Sequence, residues 1–154
     1  MARRFWLTQV NTGNLDPMVA FYKDVLGFIE DDGLDARPGL PPPPTTVMDA
    51  LGLEFPDRMI MLRLPGDVFR LEMLQWPKER FIDRPRDMNA GGLVRVGLLS
   101  DDIEGDLARV RSHGVEIIFD GEMNNLNWGS VRYCFFRDPD GNLVEYFQGD
   151  VENR

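Results

Sequence analysis

Met18, Phe21, Tyr22, Val25 and Leu26 recur at intervals of three and four residues, which is the period of one face of an α-helix. Asn14 stands where such a helix would be capped, and Gly27 where the chain must leave it in a left-handed conformation. The stretch before, Phe5 to Thr12, reads as a strand, and Phe28 to Glu30 begins another. The same order returns later: a strand from Leu93 to Leu99, a cap at Ser100 or Asp101, a helix with Ile103, Leu107 and Val110 on one face, a stop at Gly114, and a strand from Val115 to Phe119.

A second pair of matching segments sharpens this repeat. A Pro65-Gly66 turn leads into a strand carrying Glu72, and an Asp138-Pro139-Asp140-Gly141 turn leads into a strand carrying Glu145; each glutamate is followed three residues on by a glutamine, Gln75 and Gln148. Each half therefore reads as strand, helix and three strands, so the fold class is α+β, built of tandem βαβββ modules at about 4–76 and 92–149. The interval from Gly27 to Gly114 exceeds that from Glu72 to Glu145, so the first module carries extra residues between helix and last strand. They fall in an insert at about 31–57, where Pro38 and the run Pro41 to Pro44 stiffen an extended arm ahead of a short helix around Val47 to Leu51. The insert is a lid or substrate wall in one reading and a surface loop or dimer contact in the other. Pro77 to Gly92 is charged, ends in two glycines, and reads as a linker.

A chain of 154 residues with 43% hydrophobic positions holds one packed domain, or two small modules sharing a core. No apolar run approaches the roughly 18 residues of a membrane span, and Met1 to Trp6 runs into a strand-like pattern without a signal-peptide core. A cytoplasmic protein with no membrane partner is expected. The single cysteine, Cys134, excludes an internal disulfide, and its place in a strand marks it as a core residue rather than a nucleophile. A net charge of −9 argues against nucleic acid, whose phosphates require a basic face.

The segments Ala20 to Phe28 (Ala-Phe-Tyr-Lys-Asp-Val-Leu-Gly-Phe) and Phe136 to Glu145 (Phe-Arg-Asp-Pro-Asp-Gly-Asn-Leu-Val-Glu), set in this tandem order, resemble the vicinal oxygen chelate superfamily of glyoxalase, bleomycin-resistance and dioxygenase-like proteins. The resemblance covers nearly the whole chain. It implies a curved, cup-shaped mixed sheet to which each module contributes half, and a homodimer. It also implies a divalent ion held by the first and last strands of both modules, usually through His, Glu, His and Glu. Mapped by the helix and turn motifs, those places are Leu7, Glu72, Arg95 and Glu145. Leucine offers no donor and arginine is a fixed cation. The only histidine, His113, sits at a helix end, where the dipole favours it. No metal or other cofactor is therefore expected. The alternative is a two-residue slip in the Gly13-Asn14 turn that brings Gln9 to the first place, giving Gln9, Glu72 and Glu145 as oxygen ligands for Mg or Mn.

Around the four places that the resemblance implies, strand alternation adds the residues sharing their face: Leu7, Gln9 and Asn11; Arg70, Glu72, Leu74 and Trp76; Arg95, Gly97 and Leu99; Leu143, Glu145 and Phe147. In the simplest reading Arg95 bridges Glu72 and Glu145 as a buried counter-charge. In the chemical reading Arg95 holds a carbonyl or enolate oxygen while Glu145 or Glu72 moves a proton. Gln9, Asn11, Arg70, Leu74, Trp76, Leu99 and Phe147 would then line a small-molecule site. This predicts a metal-free isomerase, cyclase or lyase acting on a carbonyl compound. The alternatives are a resistance protein that sequesters its ligand, with Trp76 and Trp128 as stacking surface, and a metal-dependent glyoxalase- or epimerase-like lyase.

Overall fold

The computed structural model describes residues 5–31, 51–52, 56–84, 87–89, 92–93, 95–125 and 129–149. The chain divides into two compact units, Met1–Ile82 and Asp83–Arg154, with the division inside the expected linker. The first unit runs β1 (Leu7–Thr12), α1 (Leu15–Ala20), a π-helical turn (Phe21–Val25), β2 (Ile29–Glu30), β3 (Arg58–Arg63) and β4 (Arg70–Gln75). The second runs β5 (Arg95–Leu99), α2 (Ile103–Ser112), β6 (Ile117–Asn125), β7 (Gly129–Arg137) and β8 (Leu143–Gln148). Among the described residues each unit forms one four-stranded mixed sheet, in the orders β1-β4-β3-β2 and β5-β8-β7-β6. In both, the first strand lies parallel to the last and the others are antiparallel. The tandem βαβββ expectation is met element by element.

Each helix lies where its apolar stripe predicted. Met18, Phe21, Tyr22, Val25 and Leu26 are buried, and so are Ile103, Leu107 and Val110. Tyr22 packs edge-on to Phe21 and Phe28, with ring centroids 5.6 and 5.5 Å apart. The first helix widens after Ala20, where the Leu26 amide donates back to the Phe21 carbonyl. Gly27 and Gly114 adopt φ of 77° and 74°, the left-handed stops that a residue with a Cβ resists.

The helix starts differ from expectation, and for an instructive reason. Asn14 occupies the N-cap, yet its side chain makes no capping bond. The Leu15 amide instead donates to Gln75 Oε1 at 2.9 Å, so the cap comes from the end of β4. In the second unit Asp102 is the cap, just past the expected Ser100 or Asp101, and accepts from the Gly105 amide. Gln148 Nε2, from the end of β8, donates to the Asp101 carbonyl at 2.8 Å. The two glutamines of the repeat thus tie the last strand of each unit to the start of its helix.

β6 continues six residues beyond the strand end expected at Phe119, through Asn125. Pro38 and Pro41 to Pro44 of the insert, the helix expected around Val47 apart from Leu51 itself, and Trp128 lie outside the described residues. Among the described residues no helix is long and apolar enough to cross a membrane.

Candidate functional site

The sheet register sets Glu145 in a row across the second unit. Phe119 on β6 pairs with Phe135 on β7, Phe135 with Glu145 on β8, and Glu145 with Gly97 on β5. The next row is Gly121, Tyr133, Phe147 and Leu99. Side chains of one row share a face, so the carboxylate sits on an aromatic surface. Phe119 stacks on Tyr133 at 5.3 Å, and Phe135 stands edge-on to Tyr133 at 6.1 Å. Arg95 lies one pleat away, across from Leu143, and its Nε is 3.2 Å from Glu145 Oε2. Its guanidinium carbon is 5.8 Å from the Phe135 ring centre.

The two charges are unequally sheltered: the Glu145 side chain is 13% exposed and that of Arg95 is 47% exposed. Burial raises the Glu145 pKa above the usual carboxylate value, and the Arg95 charge opposes this only in part. Arg95 was expected as a buried counter-charge; half-exposed, it is screened by solvent and contributes less. Arg95→Ala is therefore expected to cost at most about 1 kcal/mol in denaturant unfolding and to move Glu145 further upward, since the one charge that lowers it is gone.

The first unit's face carries Leu7, Gln9 and Asn11 across from Arg70, Glu72 and Leu74. Asn11 Oδ1 accepts from both Gln9 Nε2 and Trp76 Nε1, each at 2.7 Å. This cluster holds the amide and the indole in place beside Glu72. Leu74 is buried at 2% exposure. Arg70, expected to meet a ligand, pairs instead with Asp31 and lies 5.1 Å from the Trp6 ring centre. Its charge is committed to a partner that sequence spacing does not reveal. Sequence reasoning also missed Phe119, Tyr133 and Phe135. The period-2 alternation of Val131 to Phe136 was the signal that would have found the last two.

Cys134 is buried, with its thiol pKa pushed up to about 11, chiefly by burial, as a core cysteine's would be.

The Glyoxalase/Bleomycin resistance protein/Dioxygenase superfamily model matches residues 5–146. The chain belongs to this superfamily. An uncharacterized protein of Bacillus subtilis (strain 168), YwbC, is 26% identical over 149 residues, covering 96% of this chain and 99% of the relative. TnmS3, an antibiotic binding protein from Streptomyces sp. CB03234, is similar in structure with a TM-score of 0.60 and 25% identity, covering 97% of this chain and 98% of that one. A glyoxalase/dioxygenase from Nostoc punctiforme has a TM-score of 0.67 at 17% identity, over 96% and 91% of the two chains.

A divalent ion of the kind a glyoxalase-superfamily fold can hold would find few donors beside Glu145. Directly across from Glu145 is Gly97, which offers none, and the Arg95 cation lies on Glu145 itself. Directly across from Glu72 is Gln9, not Leu7, which is the row that a two-residue slip describes. Among the described residues no three His, Cys, Asp or Glu side chains are grouped to share an ion.

Proposed function

We propose that this superfamily member binds a small carbonyl compound against the Glu145 face and moves a proton on it without a metal. The observation that carries this reading is a carboxylate raised by burial, set among aromatic rings, with a guanidinium at 3.2 Å. A carboxylate of raised pKa is a better base than an ordinary one. Glu145 takes a proton from the carbon beside the carbonyl, while Arg95, half-open to solvent, holds the oxygen on which charge develops. Leu99 and Phe147, on the same sheet face, supply further ligand contacts; in the first unit Arg70 positions the start of β4 through Asp31. The reading takes the protein to be cytoplasmic and homodimeric; light scattering at micromolar concentration checks the assembly, and a monomer would count against it.

A second reading, sequestration without chemistry, is favoured by the aromatic surface together with similarity at 25% identity to an antibiotic binding protein. Incubating the wild-type protein with a ketone in heavy water separates the two. Proton transfer exchanges deuterium into the α-carbon faster than buffer does, and a chelator leaves that rate unchanged. Binding without exchange favours sequestration. A stoichiometric Mg, Mn, Zn or Ni ion whose removal stops exchange would overturn the metal-free reading.

A further inference from the structure

Phe119, a large apolar residue on the edge strand β6, keeps 45% of its surface exposed. It is nonetheless held in one pose: the ring stacks on Tyr133 with an interplanar angle of 27° and lies 6.4 Å from Phe135. What permits the pose is a missing side chain. A Cβ at Gly121, two residues along β6, would lie 2.4 Å from the tip of the Phe119 ring, well inside contact distance. The ring therefore leans along its own strand, over the glycine and toward Tyr133. A flat, half-exposed ring is thereby presented in the same row as Glu145.

We infer that Phe119, seated over Gly121, is a specificity-determining residue that selects ligands carrying a flat conjugated ring next to the carbonyl. This deepens the proposed function and rests on it. The physical reason is geometric. An aromatic face attracts another flat π-system through offset stacking, which adds to the area buried, whereas a puckered saturated ring meets the same face only at its axial hydrogens. The nearby guanidinium and carboxylate serve the carbonyl and do not distinguish the two ring types, so discrimination falls to the ring that is half-exposed and fixed.

The test uses a matched pair of probes, acetophenone and cyclohexyl methyl ketone, titrated at millimolar concentration into isotopically labelled full-length protein and followed by NMR. The wild type is expected to bind acetophenone about three- to tenfold more tightly, the range that aromatic pairing supports. Phe119→Leu keeps an apolar residue at an exposed site and should bring the ratio close to one, and Phe119→Trp should restore it. Gly121→Ala, which keeps the ring but displaces it from Tyr133, should also reduce the preference; this variant separates ring pose from ring presence. Unfolding midpoints of the three variants, measured alongside, confirm that folded protein is compared. Equal affinity for both ketones in the wild type, or a preference that survives both Phe119→Leu and Gly121→Ala, overturns the role of Phe119 and leaves carbonyl binding standing. If neither ketone perturbs the residues around Glu145, the carbonyl-binding reading falls and this inference with it.

Discussion

Glu145→Gln is expected to hold its ligand and lose turnover by about 10²- to 10⁴-fold, the range that a positioned general base contributes. The substitution keeps size and hydrogen bonding while removing the proton acceptor, so an unchanged affinity beside a collapsed rate identifies Glu145 as the base. An unchanged rate would sink that role. The pH dependence supplies a second readout. Because burial raises this carboxyl above its ordinary value of 4.5, the acid limb of the wild-type rate profile should lie above that of an ordinary glutamate. Arg95→Ala should shift it higher still. Stability follows the same linkage. A carboxyl with a raised folded-state pKa binds its proton more tightly when folded. That contribution is fully present below the unfolded value and is lost as pH rises through the folded one. Glu145→Gln should therefore be more stable than the wild type near neutral pH, with the difference shrinking on acidification.

The largest loss of stability is expected at Asp138, a buried acid with 4% exposure that organises the turn leading into β8. One of its oxygens accepts from the Asp140 and Asn142 amides at 3.1 and 2.8 Å, and the other accepts from the Asn142 side chain at 2.7 Å. The Gly141 amide closes the turn onto the Asp138 carbonyl, with Gly141 at φ 86°. Asp138→Ala leaves these part-buried donors without their acceptor and should cost about 2–4 kcal/mol. For a chain of this size that corresponds to a fall of roughly 5–15 °C in thermal midpoint. Asp138→Asn, which keeps one acceptor oxygen but opposes an amide to the Asn142 amide, should fall between. Because the turn delivers β8, Asp138→Ala should also weaken ligand binding at Glu145; calorimetry that finds its midpoint unchanged would refute the account.

The order of elements was legible because it rests on local signals. The helical stripes at Met18 to Leu26 and Ile103 to Val110 and the stops at Gly27 and Gly114 each depend on neighbours a few residues away. What was not legible depends on distant partners. Gln75 caps a helix that begins 60 residues earlier, and no spacing rule finds such a pair. The strand expected to end at Phe119 runs on through Asp120, Gly121 and Glu122, where Asp120 finds Arg132 on the adjoining strand. The Arg95 and Glu145 pairing followed from the family's ligand places, mapped by the helix and turn motifs. Its aromatic surround did not, because Phe119 and Phe135 meet Glu145 only once β6 and β7 are placed in register.

The paired glutamines bear on how this architecture tolerates growth. Gln75 and Leu15 close a loop of 60 residues, and Gln148 and Asp101 close one of 47. Closure entropy rises only with the logarithm of loop length, so the longer circuit costs about 0.2 kcal/mol more than the shorter. One half of a duplicated chain can thus take up a long insertion at almost no thermodynamic penalty while its strand ends stay knotted to its helix start. The two halves are free to diverge in size, and so in what they carry, without diverging in how each shuts.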